Sequence, residues 1–340
     1  MRKLLTFVFC FFAVILPCSA AGSKSLQIYF VDVEGGQATL IVTPAGQSLL
    51  IDTGWPGYDN RDAKRIVAAA HEAGLKQIDY VLITHHHRDH VGGVPQLAAA
   101  IKVGTFVDHG PNLEDSDVTR EDYAAYVKAI AGHTHIVVKP GDGLPLTGVE
   151  ARILTAAGEH ISSPLPGAGQ ANPNCGSDGT PEADPTENAR SVGTLITYGK
   201  FRFLDLGDLT KKKELELACP NNMLGTVDLF LVTHHGADLS NTKSLVWGLH
   251  PRVAILDNGA HKGGSPAAWQ VVHNSPGLED FWQLHFAAGE SDKPHNVSDD
   301  HIANPKEECE GKYLKATAEV DGAFTVTNGR TGVTKTYPKK

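Results

Sequence analysis

Cysteine is scarce in this sequence. There are 5 among 340 residues, and beyond the first twenty positions they are Cys175, Cys219 and Cys309. No C-x-x-C pair occurs, which argues against a zinc knuckle and against a thioredoxin-type redox site. An odd number of cysteines allows at most one internal disulfide and leaves a free thiol. The sequence leaves open which two would pair.

Long apolar runs and basic charge are also in short supply. Beyond the N-terminus no stretch approaches the ~20 consecutive apolar residues of a membrane helix, so no stable membrane span is expected. The 39 acidic side chains outnumber the 30 basic ones, for a net charge of -9. This balance argues against a protein that coats nucleic acid through bulk positive charge. It does not exclude a local site that acts on a single phosphodiester.

Three common enzyme motifs are missing as well. The chain has no G-x-S-x-G nucleophile elbow, no Walker loop and no G-x-G-x-x-G fingerprint. Hydrophobic residues nevertheless make up 41% of the sequence. That share is enough to bury a substantial core and excludes a wholly disordered chain.

The first twenty residues are predicted to be a signal peptide. The basic pair Arg2-Lys3 precedes an apolar run, Leu4–Leu16, which is too short for a comfortable membrane span, and small residues follow at 18–20. We therefore expect a secreted or periplasmic protein, whose mature form keeps 28 of the 30 basic residues against 39 acidic ones. A lipid anchor on Cys18 is the alternative, and Pro17 directly before it fits such a site poorly.

The remaining sequence alternates between strand and helix patterns, which predicts an α/β fold. Strands are expected at Gln77–Thr84 and Val253–Leu256, and an amphipathic helix at Asp62–Ala73. A terminal hairpin is expected over 313–327, turned by Asp321-Gly322. We interpret residues 21–340 as a single domain with a loop insertion at 162–186 and a C-terminal extension from about 259. The polar stretches 162–186 and 290–311 are expected to frame or cover a cleft.

Potential metal ligands are concentrated just after one predicted strand. The segment Thr84–His90 contains the pattern H-x-H-x-D-H, whose candidate ligands are His85, His87, Asp89 and His90. Imidazole and carboxylate groups suit zinc and related divalent metals. Alternate residues of a strand-end loop point in different directions, so one turn can serve two metal positions. For the residues between the ligands, His86 and Arg88, a supporting or solvent-facing role is favoured.

Two further predicted strands end in similar residues. One ends in Gly207-Asp208, where a carboxylate could bridge two metals, and another ends in His234-His235-Gly236. One of these two histidines can complete the second metal position, and the glycine allows a tight turn beside it. Three strand ends with acidic or imidazole groups together indicate a metal site.

In this combination of motifs the sequence resembles the metallo-β-lactamase superfamily, and within it the extracellular hydrolase domain of ComEC-type DNA-uptake proteins. The similarity runs from about Leu26 to Asn258. It implies a four-layer αββα sandwich with the metals at one edge, between two halves. The motifs that carry it are L-I-D-T-G at 50–54, H-x-H-x-D-H, Gly207-Asp208 and His234-His235-Gly236, with V-D-V-E-G-G-Q-A-T-L-I at 31–41 and N-A-R-S at 188–191 for the narrower likeness.

The resemblance also implies a role for each residue of the pattern. The first metal would be held by His85 and His87, and the second by Asp89 and His90. Asp208 would bridge the two metals, and His234 would complete the second site, with His235 as the alternative if the register is off by one. Asp52 would fix the His-rich loop from behind the ligands.

One position departs from the superfamily pattern. Where members often carry a further histidine for the first metal, 20 residues before Asp208, this sequence has Asn188. ComEC-like sequences tend to have the Asn and the Ser of this segment, here Asn188 and Ser191. Because an amide is a poorer zinc ligand than imidazole, we expect one or two zinc ions, with manganese as an alternative metal.

The chemistry expected of such a site is hydrolysis by a metal-bound hydroxide. Asp89 or Asp208 would orient the water, and Asn188 or Ser191 would contact the developing oxyanion. The ComEC-type likeness favours a phosphodiester substrate, in nucleic acid or a nucleotide, especially if the basic run at 211–213 lies beside the cleft. A lactone or β-lactam is the leading alternative substrate. A non-catalytic binding protein on the same fold is the second alternative.

Overall fold

The computed structural model of the chain describes residues 25–289 and 291–340, so the predicted signal peptide lies outside the described residues. The strands of the described part are β1 (Leu26–Phe30), β2 (Thr39–Val42), β3 (Ser48–Ile51), β4 (Gln77–Leu82), β5 (Lys102–Asp108), β6 (Thr134–Val137), β7 (Gly143–Leu144), β8 (Glu150–Ala156), β9 (Glu159–His160), β10 (Gly193–Tyr198), β11 (Phe201–Asp205), β12 (Leu229–Leu231), β13 (Val253–Leu256), β14 (Asp280–His285), β15 (Ile302–Asn304), β16 (Leu314–Ala318), β17 (Phe324–Asn328) and β18 (Thr334–Tyr337). The α-helices are α1 (Arg61–Glu72), α2 (Arg88–Val91), α3 (Val94–Ala100), α4 (Asp117–Ile130), α5 (Lys211–Ala218), α6 (Lys243–Leu249) and α7 (Pro266–His273).

These strands form two mixed sheets. The first sheet has the order β18-β17-β16-β1-β2-β3-β4-β5-β6, and the second has the order β15-β14-β13-β12-β11-β10-β8-β7, with β9 paired to β8. Strands β3 to β6 run parallel to one another, and so do β11 to β15. Because parallel strands end at the same edge of a sheet, the loops that follow them are gathered together.

Three apolar cores hold the layers of sheets and helices together. Between the two sheets, Phe30 of the first packs with Phe203 and Trp282 of the second in one buried cluster. A second core covers the other face of the first sheet with α1, α3 and α4, for example through Ile66 and Leu97. A third covers the outer face of the second sheet with α5, α6 and α7. The fold is therefore a four-layer αββα sandwich, which confirms the predicted fold class.

Several predicted elements appear close to their expected positions. The helix predicted at 62–73 is α1, the strand predicted at 253–256 is β13, and the terminal hairpin is formed by β16 and β17. Other elements were not predicted, notably β14, and α2 begins inside the His-rich loop itself. The polar stretch 162–186 contains no strand or helix and is joined to the segment before Pro220 by a disulfide, Cys175–Cys219.

Cys309 is the free cysteine of the described residues, which answers the question of which two of Cys175, Cys219 and Cys309 pair. Within the described ranges we find no helix that has both the length and the apolar character to cross a membrane.

Candidate metal centre

The His-rich loop is anchored by a buried carboxylate behind it. Asp52 follows β3 and accepts hydrogen bonds from the backbone N–H of Thr84 at 2.8 Å and from its hydroxyl at 2.7 Å. The second oxygen of Asp52 also lies 2.7 Å from Nδ1 of His90. A carboxylate on one ring nitrogen fixes the orientation of the imidazole and leaves the other nitrogen, Nε2, aimed into the site. Asp52 thus occupies the place that the resemblance assigns to it.

Four buried side chains from different strand ends form one compact group. They are Asp89, His90, Asp208 and His235, whose ligand atoms all lie within 4.8 Å of one another. Nε2 of His90 is 3.2 Å from Oδ2 of Asp208 and 3.4 Å from Oδ2 of Asp89. Nε2 of His235 is 3.3 Å from the same Asp89 oxygen and 3.4 Å from Oδ1 of Asp208. We call this set the Asp208 group.

The sequence favoured His234 for the second metal position, but the structure groups His235 with Asp89, His90 and Asp208. Both His234 and His235 have left-handed backbone angles, with φ of 57° and 50°, and the following Gly236 has φ of 75°. This turn points the His235 ring into the Asp208 group, and Asp257 supports it with an oxygen 3.2 Å from Nδ1. The His234 ring lies to one side, with Nδ1 3.2 Å from the Ser240 hydroxyl and Nε2 3.3 Å from Oδ2 of Asp208.

His85 and His87, the ligands expected for the first metal position, lie side by side. Nε2 of His85 lies 3.0 Å from Nδ1 of His87 and 3.9 Å from Oδ2 of Asp208. The Thr84 hydroxyl is 3.0 Å from Nδ1 of His85, so the ring is held from its far side. The far nitrogen of His87, Nε2, lies 2.8 Å from a carboxylate oxygen of Glu114. Two supported imidazoles that face each other beside a carboxylate fit a divalent ion.

Asn188 and Ser191 have different environments. The Asn188 side chain is buried, its Oδ1 has no hydrogen-bond partner among the described residues, and it lines a cavity together with His87. Ser191 is fully buried, accepts a hydrogen bond from the backbone N–H of Asp208 at 3.2 Å and lies 3.5 Å from Nδ1 of His85. Ser191 therefore holds two ligand residues in place, and the expected contact with an oxyanion can come from Asn188.

Burial and charge together set the protonation of the Asp208 group. Burial raises the pKa of Asp208, but His234, His90 and His235 outweigh it and hold that pKa well below its usual range. Burial and Lys262 lower the pKa of His235, but Asp208 and Asp257 outweigh them and raise it to about 10. The pKa of His85 is lowered, first by burial and then by His90, so this ring stays neutral and ready to bind a metal.

The donor set as a whole fits divalent metal ions. Neutral imidazole nitrogens and carboxylate oxygens are the ligands that zinc takes in hydrolytic sites. Oδ1 of Asp208 is buried and accepts no hydrogen bond from the described residues, as expected of an oxygen that a cation would satisfy. Binding would displace the proton that His235 otherwise keeps at neutral pH.

Sequence reasoning missed several residues that support or border the centre. Glu187 is fully buried and accepts hydrogen bonds from the His86 and His109 rings at 3.0 and 2.9 Å, and its backbone N–H donates to Glu114 at 2.9 Å. Nothing local in the sequence marks Glu187. Asp257 follows β13 directly, so the rule that found Asp208 could have found it.

Lys262 is the other residue that the sequence did not indicate. Its ammonium contacts Oδ2 of Asp89, donates to the carbonyl of Gly35 at 2.7 Å and lies 5.0 Å from the ring centre of Trp55. A cation is therefore fixed directly beside the Asp208 group.

The chain is similar in sequence to known proteins of several kinds. A sequence model of the metallo-β-lactamase superfamily matches residues 31–180. Recombination protein 2 of Haemophilus influenzae is 26% identical over 274 residues, which are 78% of this chain and 28% of that protein. ComE operon protein 3 of Bacillus subtilis is 24% identical over 266 residues, 73% of this chain and 30% of that protein. A hydroxyacylglutathione hydrolase of Rhodopseudomonas palustris is 32% identical over 107 residues, 31% of this chain and 35% of that protein. The chain thus spans between 28% and 35% of the length of these relatives.

Proposed function

We propose that this chain, of which residues 31–180 match the metallo-β-lactamase superfamily, is a metal-dependent hydrolase that cleaves a phosphodiester of a nucleic acid or nucleotide. Its metal would be one or two zinc ions, with manganese as the alternative. His85, His87 and Asp208 would hold the first ion. Asp89, His90, Asp208 and His235 would hold the second. A bound divalent ion supplies activation of water and polarisation of the target oxygen.

The observation that carries this proposal is the lysine side chains beside the metal ligands. Lys262 contacts Asp89 directly. On another side of the centre, Lys211 and Lys212 line a cavity of about 360 Å³ together with His87 and Asn188. Lysine is a common phosphate-binding residue, so these side chains suit a substrate that stays anionic around the cleaved bond.

The same cavity also carries negative charge. Glu182, Asp184 and Asp238 contribute to its lining, so the basis for phosphate binding is the placement of the lysines and not a net positive surface. This local arrangement suits a small nucleotide or a single strand end better than a long duplex, which needs many phosphate contacts.

The chain's own residues divide the remaining tasks. Asp89 and Asp208 present carboxylate oxygens that orient the attacking water and hold its proton. Asn188 contributes an amide at the wall of the cavity, where it can donate to a non-bridging oxygen of the substrate. Lys262 is held by Gly35 and Trp55 so that its charge faces the developing negative charge.

Hydrolysis of bis(p-nitrophenyl) phosphate before and after chelation tests the proposal. We expect turnover by the purified protein, loss of turnover with a chelator, and recovery when zinc or manganese is returned. Lys262→Met should lower kcat/KM about 10- to 100-fold, since a hydrogen bond to a charged group contributes about 1.5–3 kcal/mol. Lys64→Met is the matched control, because Lys64 is exposed on α1 and pairs with Asp59.

Two results would contradict the proposal. Chelator-sensitive hydrolysis of lactones or β-lactams without phosphodiester cleavage would move the substrate to a carbonyl compound. Bound metal without hydrolysis of any of these substrates would indicate a binding protein on this fold.

We also propose that the protein is exported. The apolar run Leu4–Leu16 after a basic start supports this, as does the Cys175–Cys219 bridge, since disulfides persist mainly in oxidising compartments. Cell fractionation with N-terminal sequencing tests the idea. A protein that keeps Met1 and stays in the cytosol would overturn it.

A further inference from the structure

A second set of metal-binding side chains lies apart from the Asp208 group. It consists of Asp32, Glu34, His285 and Cys309, whose ligand atoms all lie within 4.8 Å of one another. We call this set the Cys309 cluster. Asp32 and Glu34 belong to the turn after β1, His285 is the last residue of β14, and Cys309 lies in the segment between β15 and β16. Three separate parts of the chain therefore converge at one point.

The spacing of the ligand atoms matches a four-coordinate ion. Sγ of Cys309 lies 3.3 Å from Oδ2 of Asp32 and 3.4 Å from Oε1 of Glu34. Nε2 of His285 lies 3.4 Å from Oε2 of Glu34 and 3.9 Å from the Cys309 sulfur. Ligands of tetrahedral zinc lie about 3.3 to 3.6 Å apart, given the usual zinc–ligand bond lengths. The contact between His285 and Asp32 is shorter, at 2.7 Å, which is a hydrogen-bond distance.

The Arg65 guanidinium contacts three of the four side chains, including Sγ of Cys309, which lies 3.6 Å from Nη2. Nη1 of Arg65 donates to Oδ2 of Asp32 at 2.8 Å and to Oε1 of Glu34 at 3.0 Å. Once a bound ion displaces the Cys309 proton, the thiolate, the two carboxylates and the guanidinium carry a combined charge of minus two. A divalent ion would bring this buried site to neutrality, which is the condition that burial favours. Arg65 then acts as a hydrogen-bonding support that fixes the ligand oxygens.

The cluster is both buried and reachable. Asp32 and His285 are fully buried, whereas Cys309 is partly exposed and lines a cavity of about 530 Å³. The cavity gives an ion a route to the thiol, which a metal site requires. Nδ1 of His285 has no hydrogen-bond partner among the described residues, and Nε2 faces Asp32 and Glu34.

We propose that Asp32, Glu34, His285 and Cys309 bind one structural zinc ion. All four positions are filled by protein groups, which is typical of structural sites and not of catalytic ones. Thiolate and imidazole ligands favour zinc over magnesium or calcium. The ion would tie the segment that carries Cys309 to the turn after β1. That turn also contacts the catalytic centre, since Gln37 donates its backbone N–H to the Asp89 carbonyl at 3.2 Å.

Cobalt substitution of the full-length protein tests this site separately from hydrolysis. The Asp208 group contains no sulfur ligand, so a thiolate-to-cobalt charge-transfer absorption reports on a cysteine site. We expect this absorption in the wild type and in Asp208→Asn, and its loss in Cys309→Ser. Cys10 and Cys18 are present in all three proteins, so the difference reports on Cys309. Zinc content after dialysis should be lower by one ion per chain in Cys309→Ser than in the wild type.

Glu34→Gln provides a second variant, because Glu34 is partly exposed and the amide that replaces its carboxylate has the same shape. Circular dichroism would show that each variant is folded before its metal content is measured. Equal zinc content in the wild type and folded Cys309→Ser would overturn the proposal, as would cobalt-loaded wild type without the charge-transfer absorption. Neither result depends on which substrate the enzyme cleaves.

Discussion

The two adjacent histidines after β12 allow a direct test of the metal centre. Nε2 of His235 contacts both Asp89 and Asp208, at 3.3 and 3.4 Å, whereas His234 contacts Asp208 and the Ser240 hydroxyl. We predict that His235→Ala removes a ligand of the second ion and that His234→Ala does not. The neighbouring identical residue serves as the matched control.

The expected loss of metal affinity follows from the number of ligands. Zinc bound by four protein ligands has a binding free energy of about 10–16 kcal/mol. One ligand of four therefore contributes about 2.5 to 4 kcal/mol, or a roughly 70- to 1000-fold change in affinity. His234→Ala should change the affinity less than about tenfold, because the group keeps all four donors. Asp257→Asn should fall between them, at about 10- to 100-fold, since Asp257 supports the ligand without binding the ion.

Competition titration with a chromophoric chelator measures these affinities on metal-free protein. Metal content by mass spectrometry gives the stoichiometry, and thermal unfolding shows that each variant is folded. The assignment would be refuted if His234→Ala lost one ion while His235→Ala retained two.

Two further predictions concern stability. Burial raises the pKa of Glu214 from 4.5 to about 7, although the side chain accepts backbone hydrogen bonds from Asn241 and Thr242 at 2.7 Å. The folded protein therefore holds the Glu214 proton more tightly than the unfolded chain does, which stabilises the fold. This contribution is full below pH 4.5 and is lost as pH rises through 7. This difference in pKa corresponds to about 3 kcal/mol of unfolding free energy. Urea unfolding should therefore show that the wild type loses about this much stability relative to Glu214→Gln between pH 5 and pH 8. A stability difference between the two proteins that does not change with pH would contradict the prediction. The Cys175–Cys219 bridge closes a loop with a sequence separation of 44, so its removal in the double serine variant should lower the free energy of unfolding by about 4 kcal/mol. Reductant should have the same effect on the wild type and none on that variant, and an unchanged midpoint in reduced wild type would count against the loop-entropy argument.

Local sequence pattern predicted an α/β fold, whereas the four layers and the metal chemistry of the centre were expected from the superfamily resemblance. Apolar periodicity reports which strands and helices are buried, so α1, β13 and the terminal hairpin could be placed from local pattern. The run from His85 to His90 follows a buried strand, and parallel strands end at a common edge. Asp208 follows β11 of the other sheet, so its link to the H-x-H-x-D-H pattern came from the superfamily resemblance.

Tertiary structure determined the features that local sequence pattern does not encode. The choice of His235 over His234 depends on two successive left-handed residues, whose side-chain directions no periodicity encodes. β14 was not predicted because its polar residues, Gln283 and His285, are buried by distant partners instead of facing water. The order of the strands, and not a local sequence pattern, brings Glu187 and Lys262 near the metal centre. The contact between Asp32 and His285 spans 253 positions, so sheet topology, and not local sequence, creates the Cys309 cluster.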